Sequence, residues 1–226
     1  MKEINLDNLK NESFSGIKTK KTEQKSNFKR NLKMGILYHH PLIYDFAIWL
    51  NDPTHLIPKT IVKSIEGNSI LDLGCGSGAL LSYIPKNYMY TGLDLNKKFL
   101  SFAQKKGRGQ FFCRDILGDL SNFKADTVIL SDILHHVTPN QQMLLDNALG
   151  CAQKKIIISD CYEKEESFFK RISEYIGRRI IDNDGFNIKR AEMGWLKINE
   201  LLKFLQANGA SNFQKVLSHI HCEIVI

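Results

Sequence analysis

Several features are missing from this chain, and each absence removes a class of protein. No apolar run approaches the roughly 18–20 residues that a membrane span needs. The best candidate, Pro41 to Leu50, is short and carries Asp45. No secretory leader is expected: Glu3 and Asp7 stand where basic residues would be, and no apolar stretch follows. The five cysteines (Cys75, Cys113, Cys151, Cys161 and Cys222) are odd in number, dispersed and form no CxxC pair. That pattern argues against a disulfide framework and for reduced thiols in a cytoplasmic protein. Cys113, Cys151 and Cys222 read as small core residues. There are no internal repeats and no basic–aromatic interleaving of the kind that stacks nucleic-acid bases.

What is present begins with charge. The chain of 226 residues has a formal net charge of +7. Residues 1–33 hold nine Lys/Arg against four acids, 9 − 4 = +5, so the rest contributes only +2. This segment lacks apolar periodicity and reads as a basic, flexible tail, open in principle to nucleic acid or anionic lipid but more simply a solvated extension. With 43% hydrophobic residues the remainder has enough apolar material for one core.

From Pro41 the pattern becomes helical, with Leu42, Ile43, Phe46, Ala47 and Leu50 as the predicted docking face and Asn51-Asp52-Pro53 as the stop. A second short helix is predicted after Pro58, with Ile61, Val62 and Ile65 inward and Gly67 as its end. Strands and helices then alternate. Strands are predicted at Ser69–Leu73, Tyr88–Leu93, Gln110–Cys113, Asp126–Leu130 and Ile156–Ser159. Helical segments are predicted at Leu80–Tyr83, Asn96–Gln104, Gln141–Ala152, Ser167–Ile180 and Glu200–Ala207. Such alternation implies a parallel sheet with helices on both faces. The tail from Phe213 has strand character and no room for another crossover helix, so an antiparallel hairpin should end the chain. The domain reading is a tail at 1–33, a helical cap at 34–67 and an α/β domain at 68–226, with a cap-like insertion at about 164–195.

The strongest local signal is Ile70-Leu71-Asp72-Leu73-Gly74-Cys75-Gly76-Ser77-Gly78. A strand runs into a glycine-rich turn, where the backbone can approach a ligand closely and a following helix offers free N–H groups. Gly74, Gly76 and Ala79 also satisfy the looser dinucleotide pattern, and Asp94, twenty residues after Gly74, would suit a ribose under either reading. Asp72 separates the two. A carboxylate beside the turn repels a pyrophosphate but favours a ligand carrying an ammonium and a sulfonium.

The stretch resembles motif I of the class I S-adenosylmethionine-dependent methyltransferases, an acid followed by G-x-G-x-G. Tyr90-Thr91-Gly92-Leu93-Asp94 is similar to that family's second motif, Phe112-Cys113-Arg114-Asp115-Ile116 to its third, and the run from Asp126 to His136 (DTVILSDILHH) to its fourth. The resemblance runs from about Ile70 to Asp160. It implies a Rossmann-like, mostly parallel seven-stranded sheet with S-adenosylmethionine as cofactor. It places Asp72 at the methionine end and Gly74, Cys75, Gly76 and Gly78 along the cofactor's path. Asp94 and Leu95 fall at the ribose, Asp115 and Ile116 at the adenine, and Ser131 beneath the methyl group.

The acceptor is less defined. Candidates for a base or an acceptor-positioning group are His135, His136 and Asp160, with Asp132 beside them; for either histidine a packing role is as natural. Tyr38 and His40 are assigned to a lid. Arg178 and Arg179 are assigned to an acceptor cap, or to a solvated helix face. His219 and His221 alternate on the last strand, but with no third ligand nearby no metal is expected. The position after the fourth strand lacks the Asn/Asp-Pro-Pro-aromatic run of amino-methylating nucleic-acid enzymes and the cysteine of cytosine-carbon methylases. A small or medium-sized organic acceptor is therefore favoured over nucleic acid. A hydride-transferring NAD enzyme and a non-catalytic partner that binds S-adenosylmethionine remain as alternatives. Nothing in the sequence sets the oligomeric state.

Overall fold

The structure is a computed structural model and describes residues 41–162 and 198–226. The expected helix at Ser167–Ile180, the cap-like insertion and the basic tail lie outside the described residues, as do Tyr38, His39, His40, Arg178 and Arg179.

Helices α1 (Pro41–Asn51) and α2 (Leu56–Ser64) precede the sheet. Asp52 links them: its carboxylate accepts from the backbone N–H of Leu56 at 2.9 Å and of Ile57 at 2.8 Å. It thereby satisfies first-turn donors that α2 cannot bond internally. Seven strands follow: β1 (Ser69–Leu73), β2 (Met89–Asp94), β3 (Gln110–Cys113), β4 (Ala125–Ser131), β5 (Ala152–Cys161), β6 (Ser211–Val216) and β7 (His219–Val225). Helices α3 (Lys97–Gln104), α4 (Gln141–Cys151) and α5 (Ile198–Ala207) intervene. The sheet order is β3-β2-β1-β4-β5-β7-β6. The first five strands are parallel, and β7 lies antiparallel to both β5 and β6. The predicted terminal hairpin is present.

Strand alternation divides the core between the two faces of the sheet. Leu71, Leu73, Val128, Leu130, Ile156 and Ile158 pack on one side with Leu144, Leu145, Leu201 and Leu205. Ile70, Tyr90, Ile129 and Ile157 pack on the other with Ile61, Leu81, Leu100 and Ala103. Among the described residues no helix is long and apolar enough to cross a membrane.

Two local expectations change. After the glycine turn the chain makes only a 3-10 turn, Leu80–Ser82, and not an α-helix. Six residues separate Gly78 from Pro85, too few for a stable helix before a residue that cannot continue one. The second change concerns α1. Leu42, Ile43, Phe46 and Leu50, its predicted docking face, are exposed, while Tyr44 and Asp45 are half-buried. The reason lies in what α1 meets: a buried serine hydroxyl and a phenylalanine ring reward a polar and an aromatic contact more than an aliphatic one.

The order of strands has a functional consequence. The chain leaves β1 for β2 and β3 on one side, then returns to β4 on the other. The crevice at the carboxyl ends of β1 and β4 is thus the topological switch point, where open α/β sheets bind ligands.

Candidate active site

The glycine turn forms one wall of that crevice. Gly74 and Gly76 have φ of 82° and 53°, the left-handed region where a side chain is disfavoured. The N–H groups of Gly74 and Cys75 donate to the Leu93 carbonyl at 2.8 and 3.0 Å. Gly76 N–H donates to Asp94 Oδ2 at 2.8 Å. A Cβ added at Gly74 would lie 2.6 Å from Ile133 Cδ1. The turn is therefore clamped between the end of β2 and the loop after β4. Helix α1 closes against it from outside: the hydroxyl of Ser77, itself buried, donates to Asp45, and the Tyr44 ring lies 5.0 Å from that of Phe99 on α3.

Two carboxylates at the strand ends have unlike surroundings. Asp72 is buried, and Tyr90 Oη donates to it at 2.5 Å. Burial lifts its carboxyl to about 7, partly countered by the Tyr90 hydrogen bond. Asp94 is half-buried at the end of β2 and accepts Asn96 N–H at 2.7 Å besides that of Gly76. Burial raises it as well, while the two N–H donors hold it back.

A cavity of about 330 Å³ opens over these elements, within the range of roughly 300–1,000 Å³ typical of small-molecule sites. Gly74, Gly76, Asp94, Asp115 and Ile116 line one part of it. Asp132, His136, Thr138 and Asn140, from the loop after β4, line another. Asp132 takes a left-handed φ of 51° and receives His219 Nε2 at 2.6 Å. Burial pushes the Asp132 carboxyl up, but the hydrogen bond and charge of His219 outweigh it and hold the group below its ordinary value. The same contact raises His219 against the effect of its own burial. Each partner thus favours the charged form of the other. Deeper, His135 Nδ1 meets Asp160 Oδ1 at 2.7 Å, and Asp160 Oδ2 accepts the N–H groups of Ile133 and Leu134 at 3.0 and 2.7 Å.

Residues 71–154 match the family model described as a methyltransferase domain. Residues 71–154 therefore form a methyltransferase domain, and its motifs are similar to those of the class I S-adenosylmethionine-dependent type. The chain is 31% identical over 116 residues to the ribosomal RNA small subunit methyltransferase C of Haemophilus influenzae (strain 86-028NP), covering 43% of this chain and 34% of that protein. It is 30% identical over 107 residues to the ubiquinone biosynthesis O-methyltransferase of Coxiella burnetii, covering 41% of this chain and 45% of the relative. The match thus spans less than half of each relative's length. Among solved structures, the magnesium protoporphyrin IX methyltransferase of Synechocystis PCC 6803 with bound S-adenosylhomocysteine shares the fold. The TM-score is 0.54 and the identity 19%, over 82% of this chain and 87% of that one.

S-adenosylmethionine is the cofactor of this family, and the residues of the methyltransferase domain fit it. The close backbone approach at Gly74 and Gly76 leaves room for a ligand, the Asp94 carboxylate suits ribose hydroxyls, and Ile116 offers an apolar surface beside Asp115. The wall includes Gly74, Gly76, Asp94, Leu95, Asp115, Ile116, Asp132 and His136 of the residues singled out in the sequence. It omits Asp72, Cys75, Gly78 and Ser131. Asp72 and Cys75 lie behind the turn, where Cys75 packs against Gly92 in the core. Asp115 also accepts Leu117 N–H at 2.9 Å, so it shapes its own turn while facing the pocket. His135 and Asp160 are buried against each other, and His136 alone of the three proposed catalytic groups reaches the wall. Asp126, at the start of β4, sits at the opposite end of the strand from Ser131, so only the last part of the DTVILSDILHH run serves the site.

The sequence reading did not single out Tyr44, Asn96, Phe99, Arg114, Thr138 or Asn140, all of which line the pocket. One signal was present for α1: an acid inside an apolar run marks a residue with a polar partner.

Proposed function

We propose that this protein is an enzyme that transfers the methyl group of S-adenosylmethionine to a small or medium-sized organic acceptor. The observation that carries the reading is one cavity, at the switch point of the sheet, that joins the glycine turn and Asp94 to Asp132 and His136. When bound, S-adenosylmethionine supplies a methyl group already activated by its sulfonium. The chain's own task is to orient and to exclude water. Asp94 and the turn hold the nucleoside end, Asp115 and Ile116 its base. Tyr44 and Asp45 bring α1 over the turn, so α1 acts as part of the cap. Asp132 and His136 face the space left for the acceptor. A carboxylate kept ionised by His219 can accept a hydrogen bond from an acceptor hydroxyl or amine and so aim its lone pair. Where the acceptor must lose a proton, His136 is the group on the wall able to take it.

A cytoplasmic setting is proposed from the sequence pattern of the five cysteines, which are dispersed, odd in number and form no CxxC pair. The ribosomal RNA relative makes nucleic acid the competing acceptor, with residues 1–33 supplying the positive charge. Formation of S-adenosylhomocysteine from S-adenosylmethionine, measured with small-molecule panels and with ribosomal RNA, tests the reading. Turnover with small acceptors supports it; turnover with RNA alone overturns the choice of acceptor; no turnover with any acceptor favours a non-catalytic binding role.

A further inference from the structure

The carboxyl ends of β4 and β5 bring together a carboxylate, an imidazole, a second carboxylate and a thiol: Asp132, His135, Asp160 and Cys161. One donor atom from each lies within 4.8 Å of all the others. We propose that these four residues form a closed structural site for one borderline divalent cation of the Zn(II) type. The site does not rest on the methyltransferase reading. It would pin the loop after β4, which carries His136 into the pocket wall, to the end of β5.

The edge lengths among three of the donors support this, with the Asp132 donor within 4.8 Å of each of them. Zinc takes sulfur at about 2.3 Å and nitrogen or oxygen at about 2.0–2.2 Å in tetrahedral geometry, which makes S···N and S···O edges of about 3.6 Å and N···O edges of about 3.3–3.4 Å. Cys161 Sγ lies 3.6 Å from His135 Nδ1 and 3.8 Å from Asp160 Oδ1. Both edges are already at tetrahedral length. The third, His135 Nδ1 to Asp160 Oδ1, is 2.7 Å, the length of a shared proton. A cation that replaced that proton would open the edge by about 0.6 Å. The donor set mixes soft thiolate, imidazole and carboxylate, which suits Zn(II) better than Mg(II) or Ca(II).

The surroundings are those of a supported site. Asp160 Oδ2 is fixed by two backbone N–H groups, those of Ile133 and Leu134, leaving Oδ1 for the cluster. Asp132 Oδ1 is fixed by His219 Nε2, whose Nδ1 lies 3.2 Å from Ser218 Oγ. Partners of this kind orient metal-binding carboxylates. The His136 ring packs 4.1 Å from that of His135. Asp132 also lines the pocket, which gives a cation a way in.

The test uses the untagged full chain, stripped with a chelator and titrated with Zn(II) or Co(II) without S-adenosylmethionine. Failure here therefore leaves the cofactor reading intact. The expected result is one ion retained per chain, a rise in Tm on loading, and a thiolate-to-metal charge-transfer absorption with Co(II). Cys161→Ala should abolish that absorption, while Cys113→Ala should keep it. His219→Gln should keep the absorption but weaken the affinity roughly 10–100-fold. Should Cys161→Ala fail to fold by circular dichroism, His135→Gln gives the same reading through loss of retained Zn(II). Retention below about a tenth of an ion per chain, or an absorption that survives in Cys161→Ala, overturns the site.

Discussion

Asp72 makes a costly core residue, and its cost should be measurable as a function of pH. Its carboxyl is buried and raised from 3.8 to about 7, with burial the leading cause. An acid raised on folding stabilises the native state fully only below its unfolded pKa. That contribution is lost as pH rises through the folded pKa. Linkage between 3.8 and about 7 gives a loss of about 1.5 kcal/mol by pH 5 and about 4 kcal/mol by pH 8. Asp72→Asn cannot ionise, so its stability relative to wild type should climb by about 2.5 kcal/mol between pH 5 and pH 8. In a chain of this size that is roughly 5–10 °C in Tm. At pH 5 the variant should be slightly the weaker, because its amide adds a buried donor next to Tyr90. The assay is denaturant unfolding of both proteins at the two pH values, without cofactor. Taking the difference between them cancels the titrating groups that do not interact with Asp72, leaving Asp94, Cys75 and Tyr90 as its coupled neighbours. A difference that stays flat with pH would refute the argument, since it would mean that Asp72 is ionised at ordinary cost.

Four further outcomes are expected. Asp94→Ala should weaken S-adenosylmethionine binding by at least about a hundredfold in calorimetry, because two charge-assisted hydrogen bonds at about 1.5–3 kcal/mol each are lost; an unchanged affinity in folded protein removes Asp94 from the site. Gly74→Ala should reduce both stability and cofactor affinity, since its Cβ would meet Ile133 at 2.6 Å from a φ of 82°; thermal melts with and without cofactor check this. Asp126→Ala should cost about 1–2 kcal/mol by urea unfolding and leave cofactor affinity alone. Asp126 holds Asn68 and Ser69 at the far end of the sheet, and its carboxyl is lowered to about 2, so its contribution is present above pH 3.8 and lost as pH falls through about 2. Removing residues 1–30 should leave cofactor affinity nearly intact and removing residues 1–50 should damage it, because the second deletion takes Tyr44 and Asp45; loss of binding with the shorter deletion would put the tail in the site.

The sheet was legible because its signals are periodic and local. Short apolar runs bounded by Gly and Asp gave β1, β2, β3, β4 and β5, and the want of room for a crossover gave the terminal hairpin. The nucleoside half of the site was legible for a related reason: Gly74, Gly76, Asp94 and Asp115 all stand where a strand ends, and order along the chain mirrors order in the crevice. Contacts set by tertiary packing were not legible. The inward side of α1 is chosen by Ser77 and Phe99, which lie 32 and 55 residues away from Asp45 and Tyr44, and so its apolar periodicity pointed to the wrong face. The pairing of His219 with Asp132 spans 87 residues and depends on the register of β7 against β5, which no local pattern encodes. Asp72 looked like a ligand-binding acid from its place before the turn, yet the turn itself carries its carboxylate behind the pocket wall.

The most direct test of the account is calorimetry of the full chain with S-adenosylhomocysteine and, separately, NAD, coupled to a crystal structure of the complex that forms. The account predicts one S-adenosylhomocysteine per chain, with its ribose hydroxyls on Asp94 and its adenine beside Asp115 and Ile116, and no binding of NAD. Binding of NAD in preference, or a nucleoside seated away from Gly74, Gly76 and Asp94, would contradict it.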